Sequence, residues 1–162
     1  MRTSFYGVPW RGKSNTKAQW ILIRDPAHSC GMKSSKGGTA VEHSLIAVVD
    51  DDESVRESLP DLIREFGFAV QAFSSAEEFL ASRSIGVTRC LILDIAMPGM
   101  TGLDLQRELN LRGQKIPIIF ITAQTDGAVR SRAIEQGAVS VLLKPFNETD
   151  LLAAVKSALQ TS

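Results

Sequence analysis

Five short apolar segments, each bounded by turn residues, recur from residue 45 onward. They occupy residues 45–49, 68–73, 90–93, 117–121 and 139–143. Segments with this length and boundary are typical of buried strands. Each is separated from the next by a stretch with helical spacing of its apolar residues. Regular alternation of strands and helices predicts an α/β domain, in which a doubly wound, parallel, five-stranded sheet is covered on both faces.

The predicted helices have recognisable ends. Capping residues precede acidic residues by three positions, which is the spacing of a capping box. The candidates are Ser74 or Ser75 before Glu77 and Glu78, Thr101 before Asp104, and Asn147 before Asp150. Gly67, Gly113 and Gly137 each lie between a helical segment and a strand, where a left-handed residue closes a helix. These signals support the same α/β order.

Charge divides the chain into two parts. Residues 1–44 hold seven Lys or Arg and two acidic residues, whereas the remainder holds eleven basic and sixteen acidic residues. We predict a basic, disordered extension over residues 1–43 and a folded domain over residues 44–162. The acidic domain argues against nucleic acid as its main partner.

With no apolar run long enough for a membrane span or a signal-peptide core, we expect a soluble cytoplasmic protein.

Two minor features of the sequence allow other interpretations. Residues 7–14, from Gly7 to Ser14, satisfy the pattern of a phosphate-binding P-loop, which would make the chain a nucleotide-binding protein. Only a short and mostly polar stretch precedes this motif, and a P-loop follows a buried strand. The cysteines, Cys30 and Cys90, share no metal-binding spacing, and we predict that Cys90 is a buried free thiol.

Polar side chains stand at the ends of four predicted strands. They are Asp50 and Asp51 after the first strand, Asp94 after the third, Thr122 after the fourth and Lys144 after the fifth. Ligands of such sheets bind beyond the carboxyl ends of the strands. Converging carboxylates favour a hard divalent cation, and the absence of histidine nearby and of a calcium-loop motif favours Mg²⁺.

The same residues suit phosphate chemistry. Lys144 can balance phosphate charge, Thr122 can donate a hydrogen bond to a phosphoryl oxygen, and one carboxylate can act as a nucleophile. An aspartyl phosphatase is an alternative interpretation. That class needs a second acid two residues after the nucleophile, and Ala96 occupies this position relative to Asp94. We therefore do not expect turnover of external substrates.

Four sequence blocks resemble the signatures of response-regulator receiver domains. They read VVDDDESVRESL, LILDIAMPGMTGLDL, IIFITA and GAVSVLLKPF, and the first part of the chain from residue 47 most resembles the FixJ-like branch. The resemblance spans about residues 44–160. It implies a flavodoxin-like fold with strand order 2-1-3-4-5.

The resemblance also implies residue roles. Asp94 would be the phosphoacceptor, charged by a phosphohistidine on a sensor histidine kinase or phosphotransfer protein. Asp50, Asp51 and Asp94, with the backbone carbonyl of Ala96, would hold Mg²⁺. Thr122 and Lys144 would be the switch hydroxyl and the phosphate-binding lysine, and Lys144–Pro145 would be a cis peptide. Asp52 is then best explained as the cap of the first helix, with Glu53 in its first turn.

The sequence departs from the family pattern at two positions, and it ends soon after the fifth helix. These features bear on how the domain would pass on its signal. Val141 stands where the family has a switch aromatic, and Pro60 falls inside the first helix, where it should weaken or kink the helix. Because the sequence stops soon after the fifth helix, we expect a stand-alone receiver domain that does not bind DNA directly. A downstream protein would then bind the surface of helix four, strand five and helix five, at about residues 126–160.

Overall fold

The computed structural model describes residues 44–161 of the chain. The predicted extension over residues 1–43, with the Gly7–Ser14 motif and Cys30, lies outside the described residues.

Five parallel strands form one sheet in the order β2-β1-β3-β4-β5, as predicted. The strands are β1 (Leu45–Val49), β2 (Ala69–Phe73), β3 (Thr88–Asp94), β4 (Ile118–Thr122) and β5 (Ser140–Leu143). β3 begins two residues earlier than its apolar segment because Thr88, whose side chain is buried, pairs with Leu45 of β1. The strand order reverses between β1 and β3, which lie side by side at the centre.

In the part of the chain that the structure describes, four α-helices connect the strands and a fifth follows β5. They are α1 (Glu53–Glu65), α2 (Ala76–Ala81), α3 (Gly102–Leu111), α4 (Gly127–Glu135) and α5 (Glu148–Thr161). The predicted caps are present: Ser75 accepts from the Glu78 N–H, and Thr101 and Asp104 form a reciprocal capping box. Asn147 likewise accepts from the Asp150 N–H at 2.7 Å. Among residues 44–161, no helix has both the length and the apolar character to cross a bilayer.

The helices cover both faces of the sheet. α1 and α5 pack on one face, against side chains such as Ile46 and Ile92 that point the same way from alternate strand positions. α2, α3 and α4 pack on the other face, against Leu93 and Phe120. Cys90 is a buried free thiol in the first of these layers, as predicted. The doubly wound architecture is therefore confirmed.

Pro60 lies inside α1 and is buried. α1 nevertheless runs as one helix from Glu53 to Glu65. A proline removes one backbone donor from the helix, but its ring here is buried, as are the side chains of its neighbours Leu59 and Leu62 that line the core. The predicted weak point is thus accommodated within a continuous helix.

Gly102, the first residue of α3, fixes this helix against the end of β3. Its N–H donates to the Ile95 carbonyl at 3.0 Å. A Cβ atom at this position would lie 2.3 Å from the backbone oxygen of Asp94 and 3.0 Å from the Ile95 Cα. Both contacts are with backbone atoms, which cannot rotate away. The close approach of α3 to Asp94 therefore requires glycine.

We expect Gly102→Ala to lower the free energy of unfolding by about 2–3 kcal/mol, because the added methyl group forces the two backbones apart. Gly127→Ala is the matched control. Gly127 is also the first residue of its helix, but a Cβ there would meet no atom within 4 Å. The control should be neutral or more stable by up to about 1 kcal/mol. Urea denaturation of both variants tests this, and equal effects of the two would contradict it.

Candidate functional site

Three carboxylates converge at the carboxyl edge of the sheet. Val49 lies opposite Leu93 in the parallel register of β1 and β3, so the residues that follow each of them are neighbours. Asp50, Asp51 and Asp94 each offer an oxygen atom within 4.8 Å of the others. The register of the two central strands therefore brings together the acids predicted from the strand ends.

Asp50 is fully buried and held on several sides. Its Oδ1 accepts the Asp52 N–H at 2.8 Å, and its Oδ2 accepts from the Lys144 Nζ at 3.3 Å. Its own N–H donates to the Phe73 carbonyl at 3.2 Å. Burial raises the pKa of Asp50, while the Lys144 ammonium and the Asp52 N–H oppose the rise. This carboxylate is thus fixed in place at an electrostatic cost.

Asp94 ends β3 and is 6% exposed. Burial, followed by the neighbouring Asp50 carboxylate, raises its pKa from 3.8 to about 6. The Lys144 ammonium and a 3.3 Å hydrogen bond from the Ala96 N–H only partly offset these effects. Asp94 is therefore a carboxylate with few stabilising partners, which favours reaction or binding to a positive group.

Thr122 and Lys144 complete the edge. The Thr122 side chain is 2% exposed, and its oxygen accepts the Gln124 N–H at 3.0 Å, which leaves the hydroxyl proton free to be donated elsewhere. The Lys144 N–H donates to the Thr122 carbonyl at 2.8 Å, so the ends of β4 and β5 are joined. The Lys144 side chain is 14% exposed and extends across the sheet edge to Asp50.

The donor set suits a hard cation. Oxygen atoms from three carboxylates lie close together, and burial and mutual repulsion disfavour two of them in the ionised form. A divalent cation would relieve this repulsion, and oxygen ligands are those that Mg²⁺ prefers. Asp51 is exposed, which leaves one side of the cluster open to water or to a further ligand.

The remaining sequence predictions near the site have different outcomes. Asp52 caps α1 by accepting the Ser54 N–H at 3.0 Å, and Glu53 lies in the first turn, as predicted. Lys144–Pro145 is a cis peptide, also as predicted. Ala96 is exposed and donates its N–H to Asp94. The metal-binding role of its carbonyl stays a prediction.

Arg56 is a site neighbour that sequence reasoning missed. Its Nη1 donates to the backbone carbonyl of Asp50 at 3.0 Å, which ties the first turn of α1 to the end of β1. It also lies near Glu78 of α2 and helps to lower the pKa of that carboxyl, after the larger effect of hydrogen bonds from Ser74. Arg56 lies four residues after the cap at Asp52, and this helical spacing was the sequence signal that could have placed its side chain near the end of β1.

The pKa of Asp94 predicts how stability depends on pH. Because its pKa is raised in the folded state, the folded protein is favoured by protonation, and the penalty for ionised Asp94 is complete above about pH 6. In metal-free buffer at pH 7.5, Asp94→Asn should therefore raise the free energy of unfolding by on the order of 2 kcal/mol. The gain should shrink as the pH falls from 6 towards 4.

Chemical denaturation across this pH range measures the effect. Asp126→Asn is the control, since Asp126 is an exposed cap of α4 and asparagine caps helices equally well. A variant at position 94 that is less stable than the parent at pH 7.5 would show that burial does not dominate the electrostatics of this residue.

Comparison with known proteins identifies close relatives. The response regulator protein TodT of Pseudomonas putida is 46% identical over 117 residues, which cover 72% of this chain and 52% of TodT. The transcriptional regulatory protein FixJ of Azorhizobium caulinodans is 38% identical over 117 residues, which cover 72% of this chain and 56% of FixJ. The chain thus spans about half the length of the curated relatives it matches. The expectation that it does not bind DNA gains no support from relatives that are named transcriptional regulators.

Solved structures lead to the same family. The crystal structure of FixJ-N superposes with a TM-score of 0.68 at 36% identity, over 74% of this chain and 95% of that one. Residues 46–156 match the family model of the response regulator receiver domain. With the flavodoxin-like sheet order and the acidic edge already described, this match shows that the chain belongs to the receiver-domain family of two-component response regulators.

Proposed function

We propose that this receiver domain, residues 44–162, accepts a phosphoryl group on Asp94 from a phosphohistidine of a sensor histidine kinase or phosphotransfer protein, with Mg²⁺ as cofactor. The observation that carries the proposal is the position of Asp94. Its carboxylate is buried beside Asp50 and Asp51 and within the electrostatic influence of Lys144. This arrangement supports a nucleophile surrounded by groups that bind a metal and a phosphoryl group.

The transfer step is a displacement at phosphorus. A carboxylate oxygen of Asp94 forms the new P–O bond, the P–N bond of the donor phosphohistidine breaks, and its electron pair returns to the imidazole. With a pKa of about 6, Asp94 is mainly ionised at neutral pH and so available as the nucleophile. The Lys144 ammonium would pair with a phosphoryl oxygen, and the Thr122 hydroxyl would donate to another.

Asp50, Asp51 and Asp94 would hold Mg²⁺, together with the backbone carbonyl of Ala96. When bound, Mg²⁺ supplies positive charge that offsets the negative charge of the phosphoryl oxygens and carboxylates. Asp50 is oriented for this role by the Asp52 N–H and by Lys144.

Phosphorylation and dephosphorylation of the domain itself are the only reactions we propose, and no external substrate is turned over. Receiver domains are in general signalling domains, and the position two residues after Asp94 holds Ala96 rather than the second acid of an aspartyl phosphatase. The nucleotide-binding alternative depends on Gly7–Ser14, outside the described residues, and no observation on the folded domain favours it.

We propose the surface of α4, β5 and α5 as the partner-binding face that responds to phosphorylation. α4 supports this because Ala133 is its buried residue, whereas the loop and first turn at residues 123–128 are exposed. Ile134 and Leu143 are large apolar side chains that this surface leaves 47% and 39% exposed. A helix held by few contacts can shift at low cost, and exposed apolar side chains suit a protein partner.

Incubation with acetyl phosphate and Mg²⁺ tests the phosphoacceptor. The parent should gain one base-labile phosphoryl group, seen by intact-mass spectrometry, and Asp94→Asn should gain none because it lacks the nucleophile. Asp126→Asn should be modified like the parent. Equal incorporation by Asp94→Asn and the parent would refute the assignment of Asp94.

The metal site is tested by titrating the protein with Mg²⁺ in a calorimeter. Asp51→Ala should weaken binding by about ten-fold or more, because it removes a direct oxygen ligand. Glu53→Ala is the matched control, since it removes one negative charge from the same acidic run but lies in α1. If both variants lose affinity equally, the general negative potential would explain binding rather than a ligand at Asp51.

A further inference from the structure

The loop that follows Asp94 contains two kinds of anchor. Ile95 and Met97 near its start are 5% and 6% exposed and pack into the layer of α2, α3 and α4. Ala96, Pro98 and Gly99 are exposed. Apolar packing thus anchors Ile95 and Met97, whereas exposed Ala96 and the exposed second half of the loop depend on polar contacts to hold their position.

Glu77 of α2 supplies a polar contact to that second half. Its Oε1 accepts the Met100 N–H at 3.1 Å, and the two residues are 23 positions apart in sequence. At the start of the loop the Ile95 N–H donates to the Ile121 carbonyl of β4 at 3.3 Å, and the Ala96 N–H donates to Asp94, whereas at its end Thr101 bonds with Asp104. The bond to Glu77 therefore joins the loop to a different helix.

Gly99 shows how closely the Glu77 carboxylate covers the loop. The backbone of Gly99 has φ +76°, and a Cβ atom there would lie 3.1 Å from Glu77 Oε1. The left-handed conformation and the tight approach both favour glycine. The loop is shaped to receive the carboxylate of Glu77.

The helix that carries Glu77, α2, is held in place by apolar packing and by hydrogen bonds at its start. Phe79 of this helix is fully buried and meets Phe73 of β2 edge-to-face, with ring centroids 5.2 Å apart. At the start of the helix, Glu78 Oε2 accepts both the N–H and the hydroxyl of Ser74 at 2.7 Å. The two adjacent glutamates therefore make different contacts. Glu78 bonds to Ser74 in the turn before α2, and Glu77 bonds to Met100 in the loop after Asp94.

We propose that Glu77 is a positioning residue, which sets the geometry of the loop after Asp94 and thereby the affinity of the site for Mg²⁺. The inference rests on the proposed function, because the loop carries the Ala96 carbonyl assigned to the metal. The Glu77 carboxylate bonds to the Met100 N–H, a group that is not among the proposed metal ligands. Its effect passes through the Met100 amide and the backbone between residues 96 and 100.

Three variants of the full chain test the role of Glu77. Glu77→Ala removes the acceptor, Glu77→Gln keeps an oxygen acceptor at the same place, and Glu78→Ala removes the neighbouring carboxylate that serves α2 alone. The measurements are hydrogen exchange of the Met100 amide by NMR, Mg²⁺ affinity by calorimetry, and phosphoryl uptake from acetyl phosphate. Unfolding by urea is measured in parallel to report global stability.

For Glu77→Ala we expect the Met100 amide to exchange about five-fold or more faster and Mg²⁺ to bind about three- to ten-fold more weakly. Glu77→Gln should restore both values to within about two-fold of the parent, because its side-chain oxygen can accept the same bond. Glu78→Ala should lower global stability but leave Met100 exchange and Mg²⁺ affinity within about two-fold of the parent.

Each alternative result has a distinct meaning. If the parent binds Mg²⁺ and Glu77→Ala matches it in Mg²⁺ affinity and Met100 exchange, the positioning role is refuted while the proposed function stands. The same holds if Glu78→Ala reproduces every change, since disorder of α2 would then be the cause. If the parent neither binds Mg²⁺ nor takes up a phosphoryl group, the proposed function fails, and the role of Glu77 at that site fails with it.

Discussion

Carboxylates placed beside one ammonium group at a poorly solvated edge of the sheet constrain the rest of this structure. Asp50 is fully buried and Asp94 nearly so, and burial is the main reason that the pKa of each is raised. The Lys144 ammonium, 3.3 Å from the Asp50 carboxylate, offsets part of this cost. The apolar sheet, rather than the acids themselves, has to stabilise the fold. The same unfavourable crowding gives the edge its affinity for positive charge, since a cation or a charge-neutralising reaction relieves repulsion that folding has already imposed.

The run of four acids after β1 illustrates how a uniform sequence feature divides into separate tasks. Asp50 turns inwards, Asp51 is exposed beside it, Asp52 caps α1, and Glu53 begins that helix. The division follows from the abrupt change from strand to helix, because extended residues alternate between faces and a cap must precede the first turn. Arg56, one turn further along α1, donates to the Asp50 carbonyl and so joins the start of α1 to the end of β1. Asp50 and Asp52 thus have separate partners, Lys144 and the Ser54 N–H, while the Asp51 carboxylate still contributes to the raised pKa of Asp50.

The sequence alone predicted features that arise from short-range patterns. The strand ends that carry Asp94 and Thr122 followed from apolar runs, and the Thr101 cap followed from its spacing to Asp104. Contacts between distant segments had no such signal. Nothing local indicates that Glu77 bonds to a loop 23 residues away, or that Gly102 is needed because a Cβ would meet the Asp94 backbone. These depend on how closely whole helices approach the sheet, and that distance is set by packing.

The response of α4 proposed above would have to proceed without a switch aromatic. Val141 is buried in the layer beneath α4 and offers no ring that could rotate. α4 is instead joined to α3 by long polar contacts, in which Gln106 and Asn110 each donate at 3.4 Å to a carbonyl near its end. The Gln106 Oε1 atom has no hydrogen-bond partner among residues 44–161, so this contact is incompletely satisfied. A junction of long bonds and one unpaired buried atom stabilises a single arrangement only weakly. In the function proposed above, a shift of α4 as a unit would therefore break few strong polar contacts with α3.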